Sequence, residues 1–164
     1  MKATILRYSL WAAGLLVVLG LINWFLITGL GYRAAEIAGY LSMVLSLCTI
    51  FLAIRHFRTQ YGNGTVTFGQ GFKIGLMITL ITSAIFFVYS AIYFKIWGDD
   101  FTQWSEDHYK STLSPEQYQE YTTQMAQMGS LYQSALFQGM VMFFTVFFIG
   151  LIITLIAATV LRKA

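Results

Sequence analysis

The sequence predicts an all-α protein, a four-helix transmembrane bundle with both termini cytoplasmic and an outer helical segment between spans three and four. Three observations carry this reading. Of 164 residues, 57% are apolar and 10% charged, against roughly 45–50% and 25% in soluble domains. Four uncharged stretches approach or exceed the about 20 residues that a helix needs to cross roughly 30 Å of hydrocarbon. Basic residues gather on one side of those stretches. With a mean hydropathy of +0.66, 17% aromatic residues and a single proline, the composition excludes a disordered chain, a collagen, a coiled-coil rod and an ordinary soluble enzyme.

The apolar stretches are 8–30, 37–54, 74–94 and 131–161. With their flanks they set spans at about 8–30, 34–55, 68–97 and 131–161 and the outer segment at 98–130, all within one membrane domain. Lys2 and Arg7 ahead of an apolar run suggest a signal peptide, but the uncharged run 10–30 exceeds a signal core of roughly 7–15 residues, so the first helix is expected to remain as an anchor. Orientation follows from charge. Lys2, Arg7, Arg55, Arg58, Lys73, Arg162 and Lys163 lie on one side with no acid among them, which assigns that side to the cytoplasm. The other side holds Arg33, Lys95 and Lys110 against seven acids, a net charge of −4. The pI of about 9.0 therefore reflects topology and anionic lipid, and no nucleic-acid partner is expected.

Spans one and two are joined by a tight link at 31–35, too short for a binding loop. The connection 56–66 contains Gly62-Asn63-Gly64, a turn with positive φ angles, and Thr67 with Gln70 spells a capping box for the third helix. In the outer segment, Asp99 or Asp100 is expected to cap a short helix with Phe101, Trp104 and Tyr109 on its apolar side. Ser114-Pro115-Glu116-Gln117 marks a second start. From there Tyr118, Tyr121, Met125, Met128, Tyr132, Ala135, Gly139 and Met142 recur at heptad spacing, which predicts one long helix over 115–161 with at most a kink at Gly129. Phe101 and Trp104 are expected to cover Tyr121 and Met125, leaving Met128 and Tyr132 for a protein partner or a second copy.

Inside the spans, Ala35, Gly39, Ser42, Ser46, Thr49 and Ala53 form a seam of small side chains. Gly71, Gly75, Thr79 and Ser83 form a second, and Gly150, Thr154 and Ala158 a third. Such seams serve close helix packing more often than a hydroxyl-lined pore. No ionisable residue lies near the midplane. Glu36 is expected in a surface-level ionic cluster with Arg33 and Lys95. Asn23 and Gln138 are the deepest strongly polar side chains, candidates for a polar site but more plainly for interhelical hydrogen bonds.

Catalytic and cofactor motifs are missing. His56 and His108 fall on opposite sides of the membrane, and His108 with Glu106, Asp107 and Asp99 reads as an exposed acidic face before it reads as a metal site. Cys48 is expected to be a buried, inert thiol. No catalytic residue, cofactor or metal is assigned.

The block Gly39-Tyr40-Leu41-Ser42-Met43, then Ala53-Ile54-Arg55-His56-Phe57-Arg58, then Gly64 to Leu76 resembles an uncharacterised family of small four-span bacterial membrane proteins, a domain of unknown function. Tyr40, Ser42, Arg58, Phe68, Gly69 and Gly75 carry the likeness, and the ending from Gly150 through Arg162-Lys163 is similar too. The resemblance covers essentially the whole chain. It implies a bacterial inner membrane and four helices, and no activity. The expected role is that of a non-enzymatic accessory or scaffold protein whose partners are the bilayer and a protein met through the outer helices. A small transporter or channel component is the alternative, and a membrane-embedded enzyme the third reading.

Overall fold

The computed structural model describes residues 1–163, and the side chains of all of these except residues 27, 28, 132 and 133. Helix α1 (Lys2–Ile22) runs into a π-helical turn (Asn23–Ile27) and a 3-10 turn (Thr28–Leu30), and Gly31, at φ 106°, reverses the chain into α2 (Tyr32–Leu47). Cys48 keeps helical angles between α2 and α3 (Thr49–Gln60), so the two make one span. Asn63 (φ 48°) and Gly64 (φ 86°) form the expected turn. Next come α4 (Phe68–Thr112), α5 (Pro115–Met128), the single turn α6 (Ser130–Gln133) and α7 (Ala135–Leu161). Four helical stretches, Lys2–Leu26, Tyr32–Gln60, Phe68–Thr112 and Ala135–Leu161, are long and apolar enough to cross a membrane. Exposed Leu6, Leu10, Trp11, Leu45, Ile92, Phe148 and Ile152 give them the apolar outer surface that lipid requires.

Both termini and the α3–α4 connection meet at one end. Tyr8 lies 5.8 Å from His56, Val66 and Lys163 exchange two backbone hydrogen bonds of 2.9 Å, and Arg58 Nη1 donates to Leu161 O at 3.3 Å. All seven basic residues without acidic neighbours therefore share one end of the bundle.

The core is built mainly between α4 and α7, with Ile74, Ile78, Phe86, Val146 and Ala157 buried there, Ile50 and Ile54 added from α3, and Leu16 from α1. The predicted small-residue ladders of spans three and four face each other, as close packing in lipid demands. In α2 and α3 the hydroxyls of Ser42, Ser46 and Thr49 donate to carbonyls one turn back, at 2.6–2.7 Å. Thr82 and Ser83 depart from that pattern, since their buried hydroxyls have no partner among the described residues.

Three expectations are corrected. Cys48 is exposed, because Ser46, Leu47 and Ile50 take the buried face of this span and the thiol shares the outer face with Val44, Leu45 and Leu52. The short outer helix is present beyond a kink at Trp97 (φ −121°, ψ 15°), but it follows the third span directly, as the last part of α4, and among the described residues no backbone N–H donates to the side chain of Asp99 or Asp100 to cap it. The helix expected over 115–161 is broken twice. Gly129 adopts φ 54°, ψ −142°, which L-residues rarely tolerate, and Ser134 is extended (φ −70°, ψ 123°). The heptad spacing holds across this region in sequence, but the backbone turns between α5 and α7, so the stripe does not continue from one to the other.

Candidate functional site

At the end of the bundle away from the termini, α2 lies loosely against α4. Ala35, Gly39 and Ser42 carry little volume on the facing surface, and an open cavity of about 310 Å³ remains between α1, α2, α4 and α7. Asn23, Trp24, Tyr32, Glu36, Tyr89, Ser90, Tyr93 and Trp104 line it. Asn23 opens the π-helical turn, a local unwinding that recurs at functional sites. Its Nδ2 donates to Ala35 O at 2.9 Å, which ties the end of the first span to the start of α2, and its Oδ1 is buried without a partner among the described residues. Tyr32 and Glu36 stand one turn apart on α2 and so share a face.

The aromatic residues form a connected cluster. Trp24 meets Tyr93 edge-on at 5.3 Å and Trp104 at 6.4 Å, while Tyr32 lies 4.9 Å from Trp104 and stacks on His108 at 4.4 Å and 9°. Tyr32 Oη lies 3.3 Å from Tyr109 Oη. The upper part of α4, beyond Trp97, is thus bound back onto the start of α2, and Tyr109 in turn packs 4.7 Å from Tyr121 on α5.

Of the residues singled out from sequence, Asn23 and Glu36 are brought together on this cavity. Gln138 lies apart, in a polar recess of about 320 Å³ with Asp99, Gln103 and Glu106. Tyr118, Tyr121 and Met125 are half-buried on α5 and Met128 is exposed, whereas the side chain of Tyr132 lies outside the described residues. The expected cover of Tyr121 by Phe101 and Trp104 is corrected: Tyr109 packs on Tyr121, and the rings of Phe101 and Trp104 turn toward Phe94, Trp24 and Tyr32. The kink at Trp97 and the helix beyond it set this direction. Glu36 is also not part of an ionic cluster, since no Lys or Arg among the described residues comes within 4.0 Å of its carboxylate, which lines the cavity instead. Sequence reasoning missed Trp24, Tyr32 and Tyr93, and it placed Trp104 against α5 rather than on this cavity. Their placement at span ends reads as an interfacial belt, and only the hairpin geometry turns them toward one another.

Among the described residues, no group of three His, Cys, Asp or Glu side chains could hold a metal ion. No curated protein and no solved structure matches the chain. A family described as protein of unknown function, DUF4199, matches residues 8–163. That match spans all four membrane helices and the segment between the last two, and the chain belongs to the DUF4199 family.

Proposed function

We propose that this multi-pass protein is a non-enzymatic accessory or scaffold protein of a bacterial inner membrane, with both termini in the cytoplasm, and that it acts through protein contacts of α5. The observation that carries the proposal is the state of the Tyr/Met stripe. Tyr118, Tyr121 and Met125 are only half-buried, Met128 is 39% exposed, and no residue of α5 is buried. Tyr and Met suit an adaptable protein surface, and the −4 charge of this side opposes adsorption to anionic lipid. The hold of Tyr109 on Tyr121 presents the stripe from a fixed platform. The gathering of seven basic residues at the terminal end supports the orientation.

A photo-reactive residue at Met128 or Met125, activated in native membranes, should yield a discrete adduct with one protein, either a second copy or another species, and Tyr118→Ala should diminish it. Adducts to lipid alone would overturn the proposal. The second reading, a small transporter or channel component, is favoured by the cavity bearing Asn23 and Glu36. Purified protein in liposomes that conducted an ion or solute would select it.

A further inference from the structure

The cavity beside α2 has a chemistry that an α5 contact surface does not explain. Its lining includes one charged group, Glu36, and no Lys or Arg. Glu36 makes no hydrogen bond or ion pair among the described residues. The amide of Asn23 is fixed by its donation to Ala35 O, so its unpartnered end is the Oδ1 acceptor. These two groups are both acceptors, and one is an anion, beside the hydroxyls of Ser90, Tyr89 and Tyr93. Around them stand the rings of Trp24, Tyr32, Tyr93 and Trp104, whose centroids lie 4.9–6.4 Å from one another in the pairs Trp24–Tyr93, Trp24–Trp104 and Tyr32–Trp104. Aromatic faces carry negative potential and attract cations, Trp most strongly. Deeper in, Leu16, Met43 and Phe86 offer an apolar wall. The volume of about 310 Å³ lies at the lower end of the range of small-molecule sites.

An interfacial belt would leave these rings facing head groups one by one. Here they touch each other and enclose space beside a carboxylate. We infer that the cavity is a binding site for an alkylammonium amphiphile, with the ammonium between Glu36 and the indole and phenol rings, an N–H donated to Asn23 Oδ1, and the hydrocarbon against Leu16 and Phe86. The same chemistry is offered by the ethanolamine head of a phospholipid and by a free alkylamine. This site stands independently of the α5 surface, so loss of either leaves the other intact.

The test uses the full chain in nanodiscs of phosphatidylglycerol, a lipid with no ammonium group, titrated with decylammonium or with decanol while tryptophan fluorescence is read. Decylammonium should saturate and decanol should not. Glu36→Gln should weaken the cation at least tenfold and Glu36→Asp by less. Trp104→Leu, which keeps the carboxylate and removes a ring, should weaken it several-fold. Thermal midpoints equal to that of the unaltered protein establish that the variants are folded. Substituting phosphatidylethanolamine for part of the lipid should raise the apparent Kd if a phospholipid head is the occupant and leave it unchanged if a free amine is. Equal saturation by decanol, or a folded Glu36→Gln protein that binds decylammonium as the unaltered protein does, would overturn the inference.

Discussion

Thr79 on α4 and Thr154 on α7 approach to 3.3 Å between their hydroxyl oxygens at a point where neither residue is exposed. One turn before each lies a glycine that faces the other threonine: a Cβ on Gly75 would stand 2.6 Å from Thr154 Cγ2, and a Cβ on Gly150 would stand 2.5 Å from Thr79 Cγ2. The two helices therefore interlock reciprocally, each threonine filling the groove left by the other helix's glycine. In lipid, where apolar burial gives no drive for association, this backbone approach supplies dispersion contacts and a satisfied hydroxyl pair.

The interlock makes the glycines more important than the hydrogen bond. Gly75→Ala and Gly150→Ala should each cost about 1–3 kcal/mol through forced separation of the helices. Thr79→Val, which keeps the branched shape, should cost about 0.6 kcal/mol, the usual worth of an interhelical hydrogen bond in a membrane. Reversible unfolding in mixed micelles would measure both. A Thr79→Val loss larger than that of Gly75→Ala would show that the polar contact dominates.

Among the described residues, the Tyr109–Tyr121 pair at 4.7 Å ties α5 to α4. An aromatic pair contributes about 0.5–1.5 kcal/mol, so Tyr121→Ala should raise the open population of this segment roughly 2- to 13-fold. Limited proteolysis within 113–130 of protein in nanodiscs should accelerate by a similar factor, while cleavage elsewhere stays constant. An unchanged rate would mean that other contacts hold α5.

The ends that carry the uncompensated basic residues are gathered at one end of the bundle, as a cytoplasmic placement of both termini requires. Reporters fused at Met1, inserted at Asn63 and fused at Ala164 should all register the cytoplasm, and one inserted at Leu113 should register the opposite side. A carboxyl-terminal reporter on the side of Leu113 would refute the orientation.

Cys48 provides an independent check on the outward face of the second span. Its exposure in the middle of a span places the thiol at lipid, where the thiolate that a maleimide needs does not form, so a nitroxide attached to Cys48 in detergent and carried into nanodiscs should be relaxed by oxygen, which partitions into hydrocarbon, far more than by a water-soluble nickel chelate. Stronger relaxation by the nickel chelate, or an immobilised label that neither agent reaches, would restore the buried placement.

The spans were legible in the sequence because a bilayer imposes a length and a polarity that few residues can evade, and the caps at Thr67 and Ser114 because each rests on a local exchange of two hydrogen bonds. The break between α5 and α7 was not legible. A heptad stripe records side-chain spacing along the chain, whereas the path there is decided by the backbone angles of Gly129 and Ser134. The cavity was only half legible. Asn23 and Glu36 stood out as polar residues near span ends, but Trp104 lies 72 positions beyond Tyr32 and reaches it only because α4 continues past Trp97. Such a distance carries no local pattern.

The seam of α2 separates where its periodicity suggested a single role. Ser46 is fully buried, so Ser46→Leu should overpack the bundle and lower the yield of folded protein, at a cost of about 1–3 kcal/mol. Gly39 shares the seam's spacing but borders the cavity, and a Cβ there would meet only Asn23 Nδ2, at an ordinary 3.5 Å. Gly39→Ala should therefore fold at least as well as the unaltered protein, gaining up to about 1 kcal/mol of helix propensity. Gly39→Leu should also fold but fill the space beside Asn23 and abolish binding of decylammonium. Val44, 41% exposed toward lipid, should accept Leu silently. Size-exclusion yield and thermal midpoint across the four variants provide the measurement, and a Gly39→Ala protein as damaged as Ser46→Leu would mean that α2 packs tightly against α4 along its whole length and that the cavity closes in the bilayer.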